Sequence, residues 1–152
     1  MLEDIVHYLI KNNISISTME SCTGGLLASL ITDIPDASTI LKFSAVTYST
    51  EYKIKMGVSK EVIDRYTVYS KETAIEMAKT IAEFTGSDLG VGITGRLTSN
   101  LDEEKGVDLC LYDKKDDKIY TTYIVITKTT RMENKLEVID AFIELFNSTI
   151  KA

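Results

Sequence analysis

Thr18-Met19-Glu20-Ser21-Cys22-Thr23-Gly24-Gly25 lies between an alternating apolar run, Ile14 to Thr18, and a helix-like run, Leu26-Leu27-Ala28-Ser29-Leu30-Ile31. A strand, a hydroxyl- and glycine-rich turn and a helix start therefore follow one another without a gap. The first N–H groups of a helix have no intrahelical partner, and the helix dipole is positive at that end. Two glycines let another molecule approach the backbone closely. The turn is thus suited to a phosphate or a developing oxyanion, with Ser21 and Thr23 as candidate nucleophiles or ligands.

Working outward, residues 2–12 place Leu2, Ile5, Val6, Leu9 and Ile10 at helical spacing, and Asn12-Asn13 ends that helix. Residues 14–19 are expected as a strand and 24–33 as a helix, followed by a turn at Asp33-Ile34-Pro35-Asp36, which holds the one proline. The β-branched and aromatic run Phe43 to Ser49 is expected as a strand, and Thr50 to Met56 as a short helix closed by Gly57. Ser59 and Ser70 are expected as N-caps of two helices, the second running to Phe84 and ending near Gly86. Asp88–Thr94 forms a strand running into Gly95, and residues 96–105 form a polar loop. Val107–Tyr112 and Ile119–Thr127 are two more strands joined by a charged connection, and Met132–Ile150 is a closing helix.

Alternation early in the chain and a hairpin late in it imply an α/β fold. We expect a three-layer α/β/α sandwich, with a mixed, mostly parallel sheet of about five strands, as a single domain over 1–152. Ligands of open α/β sheets gather outside the carboxyl ends of parallel strands. Three polar clusters fall at such ends: Glu20–Gly25, Tyr48–Lys53 and Thr94-Gly95. Parallel strands would bring them into one cleft.

The composition removes several alternatives. The 152 residues carry a net charge of -6 and a pI near 4.8, so a nucleic-acid backbone would be repelled. A small phosphorylated metabolite needs only one local positive pocket. No apolar run approaches the ~20 residues of a membrane span and no leader motif is present, so no membrane partner and a cytoplasmic location are expected. Cys22 and Cys110 lack metal-ligand spacing and are expected as thiols, with no metal site. His7 is the one histidine and sits on the amphipathic first helix, so a Ser-His-Asp triad would rest on it alone.

Without histidine, the usual partner of a serine nucleophile is lysine, which becomes a base when burial strips its hydration. Lys53 is the candidate, five residues beyond Tyr48, whose hydroxyl would hold or relay the proton. Each residue also has a structural reading: Lys53 as a solvated helix lysine, Tyr48 as a packed aromatic, and Ser21 as a helix N-cap. Cys22 reads as a small packed thiol or one with a lowered pKa at a helix start. Glu20 reads as a carboxylate stabilised there or one orienting a substrate amide. Spacing alone leaves these open.

Taken together, Glu20-Ser21-Cys22-Thr23-Gly24-Gly25, Asp33 to Ser38, Val46-Thr47-Tyr48-Ser49 with Lys53, Gly57-Val58, Val68-Tyr69-Ser70 and Gly92-Ile93-Thr94-Gly95 occur in one order. In this the chain resembles the C-terminal domain of the competence-damage-inducible CinA family, also called nicotinamide-nucleotide amidases. The resemblance implies hydrolysis of the carboxamide of nicotinamide mononucleotide to nicotinate mononucleotide and ammonia, without a metal or cofactor, on a three-layer α/β/α fold that forms homo-oligomers. It implies Ser21 as nucleophile, Lys53 as base and Tyr48 as auxiliary hydroxyl. Glu20, Cys22, Thr23, Gly24, Gly25, Thr94, Gly95 and Arg96 would surround the nucleotide. The chain begins at the amidase-like part, as the stand-alone form of the family does.

One segment departs from that pattern. After Thr94-Gly95 the family continues with Ile-Ala-Gly-Pro, paired glycines and Lys-Pro-Val-Gly, whereas this chain has Arg96 to Val107 with the proline and internal glycines gone. Ser44 and Asp36 also stand where the family tends to have glycine. A glycine-rich loop suits phosphate contact; Arg96 either replaces that grip with a charged fork or is a surface arginine. A related serine amidase with another amide substrate, or a non-catalytic binding domain, are the alternative readings.

Overall fold

The computed structural model describes residues 1–98 and 106–152. The part of the expected polar loop over 99–105 lies outside the described residues. In chain order the elements are α1 (Leu2–Lys11), β1 (Ile16–Glu20), α2 (Leu26–Thr32), β2 (Leu41–Val46), α3 (Thr50–Lys55), α4 (Lys60–Tyr66), α5 (Lys71–Thr85), β3 (Leu89–Gly95), β4 (Gly106–Asp113), β5 (Lys118–Val125) and α6 (Arg131–Ser148). A short 3-10 turn, Ala37–Thr39, precedes β2.

One mixed sheet carries the strands in the order β2-β1-β3-β4-β5. β1 pairs in parallel with β2 and β3, and β4 and β5 add as an antiparallel extension. Register decides where the site falls. Glu20 is opposite both Val46 and Ile93, so three parallel strands end at one level. Beyond that level Ser21 N–H donates to the Ile93 carbonyl at 3.0 Å and Thr47 N–H to the Glu20 carbonyl at 2.8 Å, keeping the chain ends side by side.

The two faces of the sheet are dressed differently, and β3 shows why. Leu89, Val91 and Ile93 point into the larger core with Val6, Leu9, Leu27, Val138 and Phe142 from α1, α2 and α6. Gly90 and Gly92 alternate with them on the other face. A Cβ at Gly90 would run into the Ala78 carbonyl and one at Gly92 into the Ala74 carbonyl. The glycines therefore let α5 lie against the sheet through its small-residue stripe Ala74, Ala78 and Ala82. Met19, Val58, Ile63, Met77 and Ile81 fill a second core beneath α4 and α5. The result is the expected three-layer α/β/α arrangement.

Ser59 and Ser70 cap their helices as expected, accepting the backbone N–H of Val62 and Thr73, and Ser49 and Thr130 do the same for Tyr52 and Glu133. One expected strand shifts. The run 43–49 forms sheet only as Leu41–Val46, because Thr47 to Ser49 leave the ladder to deliver Ser49 as the cap of α3. No helix among the described residues is long and apolar enough to cross a membrane.

Candidate active site

Between the ends of β1, β2 and β3 lies a cleft of about 400 Å³ lined by residues of several segments, Ser21, Tyr48, Lys53, Thr94, Arg96 and Arg131 among them. Ser21 stands at its floor, directly after β1. Lys53 reaches it from the middle of α3. Its Nζ donates to Ser21 Oγ at 3.0 Å and to the Thr47 carbonyl at 2.7 Å. Only 2% of Lys53 is exposed, and no ion pair of Lys53 is found among the described residues. Desolvation by burial holds its pKa below the ordinary lysine value of 10.5, with the neighbouring Cys22 opposing weakly. A buried amine aimed at a serine hydroxyl, without a carboxylate to neutralise it, is an arrangement that costs stability and is useful as a base.

The turn after β1 has two sides. Glu20 points away from the cleft, fully buried, and its carboxylate accepts four hydrogen bonds: Thr23 Oγ1 at 2.6 Å, Leu27 N–H at 3.1 Å, Ala28 N–H at 3.0 Å and Thr18 Oγ1 at 3.2 Å. It thereby occupies the amino end of α2, the place where a phosphate was expected. This corrects two expectations: Glu20 and Thr23 build the turn and do not line the cleft. Gly24 and Gly25 lie outside the cleft as well, with φ of 62° and 93° that favour glycine, and they turn the chain into α2. Ser21 is not the cap of α2, a role that falls to Gly25.

Cys22 does line the cleft beside Ser21. Burial, the largest influence, pushes its thiol up to about 12, so at neutral pH it is a protonated packing group and not a competing nucleophile. Thr94 and Gly95 form the β3 side; Thr94 Oγ1 donates to the Val68 carbonyl at 2.7 Å. The Arg96 guanidinium lies over the Tyr69 ring at 3.8 Å from its centroid. Tyr48 also lines the cleft, but its hydroxyl meets Arg131 Nη2 at 3.5 Å and not Lys53 or Ser21. The expected proton relay through Tyr48 therefore has no hydrogen bond to run along. Its position fits contact with a bound molecule.

Sequence reasoning overlooked Arg131. It is the first residue of α6, where the positive helix end disfavours a cation, and that mismatch was the available signal. Buried Asn134 fixes its place, donating to the carbonyls of Leu97 at 2.8 Å and Lys128 at 3.3 Å and so tying the start of α6 to the segment after β3. Arg131 bonds Thr98 Oγ1 at 3.1 Å and the Tyr48 hydroxyl, both neutral. Lys53, Arg96 and Arg131 thus face one cleft whose described lining has no carboxylate, in a chain of net charge -6. Its ionisable lining is therefore cationic in kind, the opposite sign to the chain as a whole.

Comparison with known proteins bears on the family and the fold. A competence-damage inducible protein of Clostridium botulinum (strain Kyoto / Type A2) is 45% identical over 97 residues, 62% of this chain and 24% of its own length. A CinA-like protein of Kosmotoga olearia is 46% identical over 94 residues, 61% of this chain and 23% of its own length. The chain thus spans about a quarter of the curated relatives it matches. Among solved structures, a CinA superfamily protein from Escherichia coli superposes with a TM-score of 0.80 at 27% identity, covering 88% of this chain and 80% of the other. Competence/damage inducible protein CihA from Agrobacterium tumefaciens reaches a TM-score of 0.86 at 24% identity, over 96% and 93% of the two chains, and shows the shared fold. The CinA C-terminal domain description matches residues 1–150, and this chain, with its sheet order, its serine turn and its buried lysine, belongs to that family.

Proposed function

We propose that the chain is a serine amidohydrolase that converts nicotinamide mononucleotide to nicotinate mononucleotide and ammonia. The observation that carries this reading is the 3.0 Å approach of the buried Lys53 amine to Ser21 Oγ. In the neutral form of Lys53 the hydrogen bond reverses, and the Ser21 hydroxyl donates to the nitrogen lone pair. The Thr47 carbonyl accepts one N–H and fixes where that lone pair points. Ser21 Oγ attacks the carboxamide carbon as its proton passes to Nζ, and the carbonyl oxygen takes the negative charge. The Ser21 and Gly24 N–H groups are given to the carbonyls of Ile93 and Ser21, so the remaining backbone N–H groups of the turn would have to hold that oxyanion. The Lys53 ammonium returns the proton to the departing ammonia. Water then attacks the acyl-serine, with Lys53 again accepting a proton and handing it to Ser21 Oγ as the acid leaves.

Arg131 and Arg96 would hold the phosphate end of the nucleotide, since a guanidinium offers a planar pair of donors to phosphate oxygens. Tyr48 and Tyr69 offer ring faces beside them. The mechanism needs no imidazole, and His7, on α1, does not line the cleft. We further infer a homo-oligomer, to be checked by light scattering. Incubating the purified chain with nicotinamide mononucleotide and following ammonia tests the activity. No release, or release undiminished in Ser21→Ala, would falsify it. The altered segment after Gly95 favours one competing reading, a related amide as substrate; a panel of amides in which only the mononucleotide is cleaved would exclude that reading.

A further inference from the structure

Thr67, which follows α4, has φ 69° and ψ 173°. This corner of the backbone map is open to glycine and strongly disfavoured for a β-branched residue. Three hydrogen bonds over-determine it. Thr67 Oγ1 accepts the Tyr69 N–H at 3.1 Å, and the Thr67 carbonyl accepts Ser70 Oγ at 2.9 Å and Thr73 Oγ1 at 2.7 Å. Thr73 is fully buried in the first turn of α5, so the clasp is anchored to a rigid element.

What the clasp holds is a wall of the cleft. The Val68 carbonyl accepts Thr94 Oγ1 at the end of β3, and the Tyr69 ring supports the Arg96 guanidinium. Both residues line the cleft. A guanidinium centred 3.8 Å from a ring centroid rests against that ring, so the place taken by Tyr69 helps to set where Arg96 presents its donors. Only Thr67 to Ser70 connect α4 to α5. If the backbone at 67 relaxed to an ordinary φ, Tyr69 would leave its position under Arg96. Glycine would accept the same angles without strain but would also populate others, whereas threonine supplies its own acceptor for the Tyr69 N–H and selects one.

We propose that Thr67 is a positioning residue: it spends backbone strain to set the Tyr69–Arg96 wall and thereby the affinity of the cleft for its substrate. This rests on the amidase reading, and the test separates the two. Ammonia release is measured with nicotinamide mononucleotide for Thr67→Val, Thr67→Gly, Thr67→Ser, Tyr69→Ala and the double variant Thr67→Val/Tyr69→Ala. The same substitutions in a Ser21→Ala background give the Kd of the mononucleotide by calorimetry. Thr67→Val and Thr67→Gly raise KM about tenfold with kcat held within about twofold, the size typical of coupled neighbours. Thr67→Ser, which keeps the hydroxyl, restores the wild-type KM, and the double variant is no worse than Tyr69→Ala. Unchanged KM and Kd, equal losses in kcat and kcat/KM, or additive effects in the double variant overturn the proposal. A wild-type chain that binds without turnover defeats the amidase reading while the Kd series still decides the role of Thr67. A chain that neither binds nor cleaves the mononucleotide overturns both.

Discussion

Two clefts of almost equal size lie at opposite ends of the sheet, about 400 Å³ beyond the carboxyl ends of β1 and β3 and about 390 Å³ at their amino ends. The second is lined by Tyr8, Asn13, Asp88, Asp113, Lys115 and Asp116 among others. There the charged side chains of Asp88, Lys115 and Asp116 are exposed and that of Asp113 is half-buried. Asp88 accepts the Ser15 N–H at 2.9 Å and the Ser15 hydroxyl at 3.1 Å, which locks the entry to β1. In the first cleft, Lys53 is stripped of water and left without a carboxylate. Volume does not separate the two clefts. What separates them is an ionisable group held where its charged form is disfavoured, a condition a fold sustains only against its own stability.

The largest effect that tests this contrast is loss of the dyad. Ser21→Ala and Lys53→Met should each lower kcat by about a thousandfold or more, as removal of a nucleophile or its base does in other serine hydrolases, measured by ammonia release. Lys53→Met should also melt higher than the parent in a calorimetric scan, because a buried unpaired amine is exchanged for an apolar chain of similar length. A lower melting temperature would show that the lysine is a structural element.

Titration gives the next effect. The base is active when neutral, so kcat/KM should climb about tenfold per pH unit on the acid side of the Lys53 pKa, with the inflection below 10.5 and absent in Lys53→Met. The stability sign follows from the same shift. Between the lowered folded value and 10.5 the unfolded chain binds more protons than the folded one, so stability rises with pH across that window. Urea denaturation at stepped pH measures it, and Lys53→Met should flatten that contribution.

Arg131→Ala should raise KM for the mononucleotide roughly tenfold, with Arg131→Lys recovering part of the loss, since an ammonium lacks the planar fork. Michaelis curves at two salt concentrations check it, the effect shrinking as salt screens the anion. Glu20→Ala acts on the fold: the hydroxyl of Thr23 and the N–H groups of Leu27 and Ala28 would lose their buried acceptor, a cost of about 3 kcal/mol by analogy with other buried charged acceptors, read by urea denaturation. The smallest effect is expected in the opposite cleft, where Lys115→Ala should leave kcat/KM within about twofold. A large loss there would erase the distinction between the two ends.

The local elements were legible because their signals are local. Ser59 and Ser70 each cap the helix that begins immediately after them, and Leu89, Val91 and Ile93 alternate as a strand must. The meeting of Ser21 with Lys53 was an inference from parallel strands, and the parallel register supplies it through Glu20 opposite Val46 and Ile93. Which way each turn residue faces was not legible. Glu20 and Ser21 are neighbours, and strand geometry sends successive side chains to opposite sides, yet only the packed α2 makes the Glu20 side a buried cap. Arg131 was overlooked for a similar reason. It joins the cleft through Asn134, a contact between segments 37 residues apart.

The sequence by itself determined the element types, the α/β layering and the residue kinds available for chemistry, since capping, periodicity and composition act over a few residues. Only tertiary structure decided that Lys53 is dry, that Thr23 serves Glu20 and that Arg131 reaches Tyr48. Desolvation and orientation come from neighbours distant in the chain, and these are fixed by register and packing.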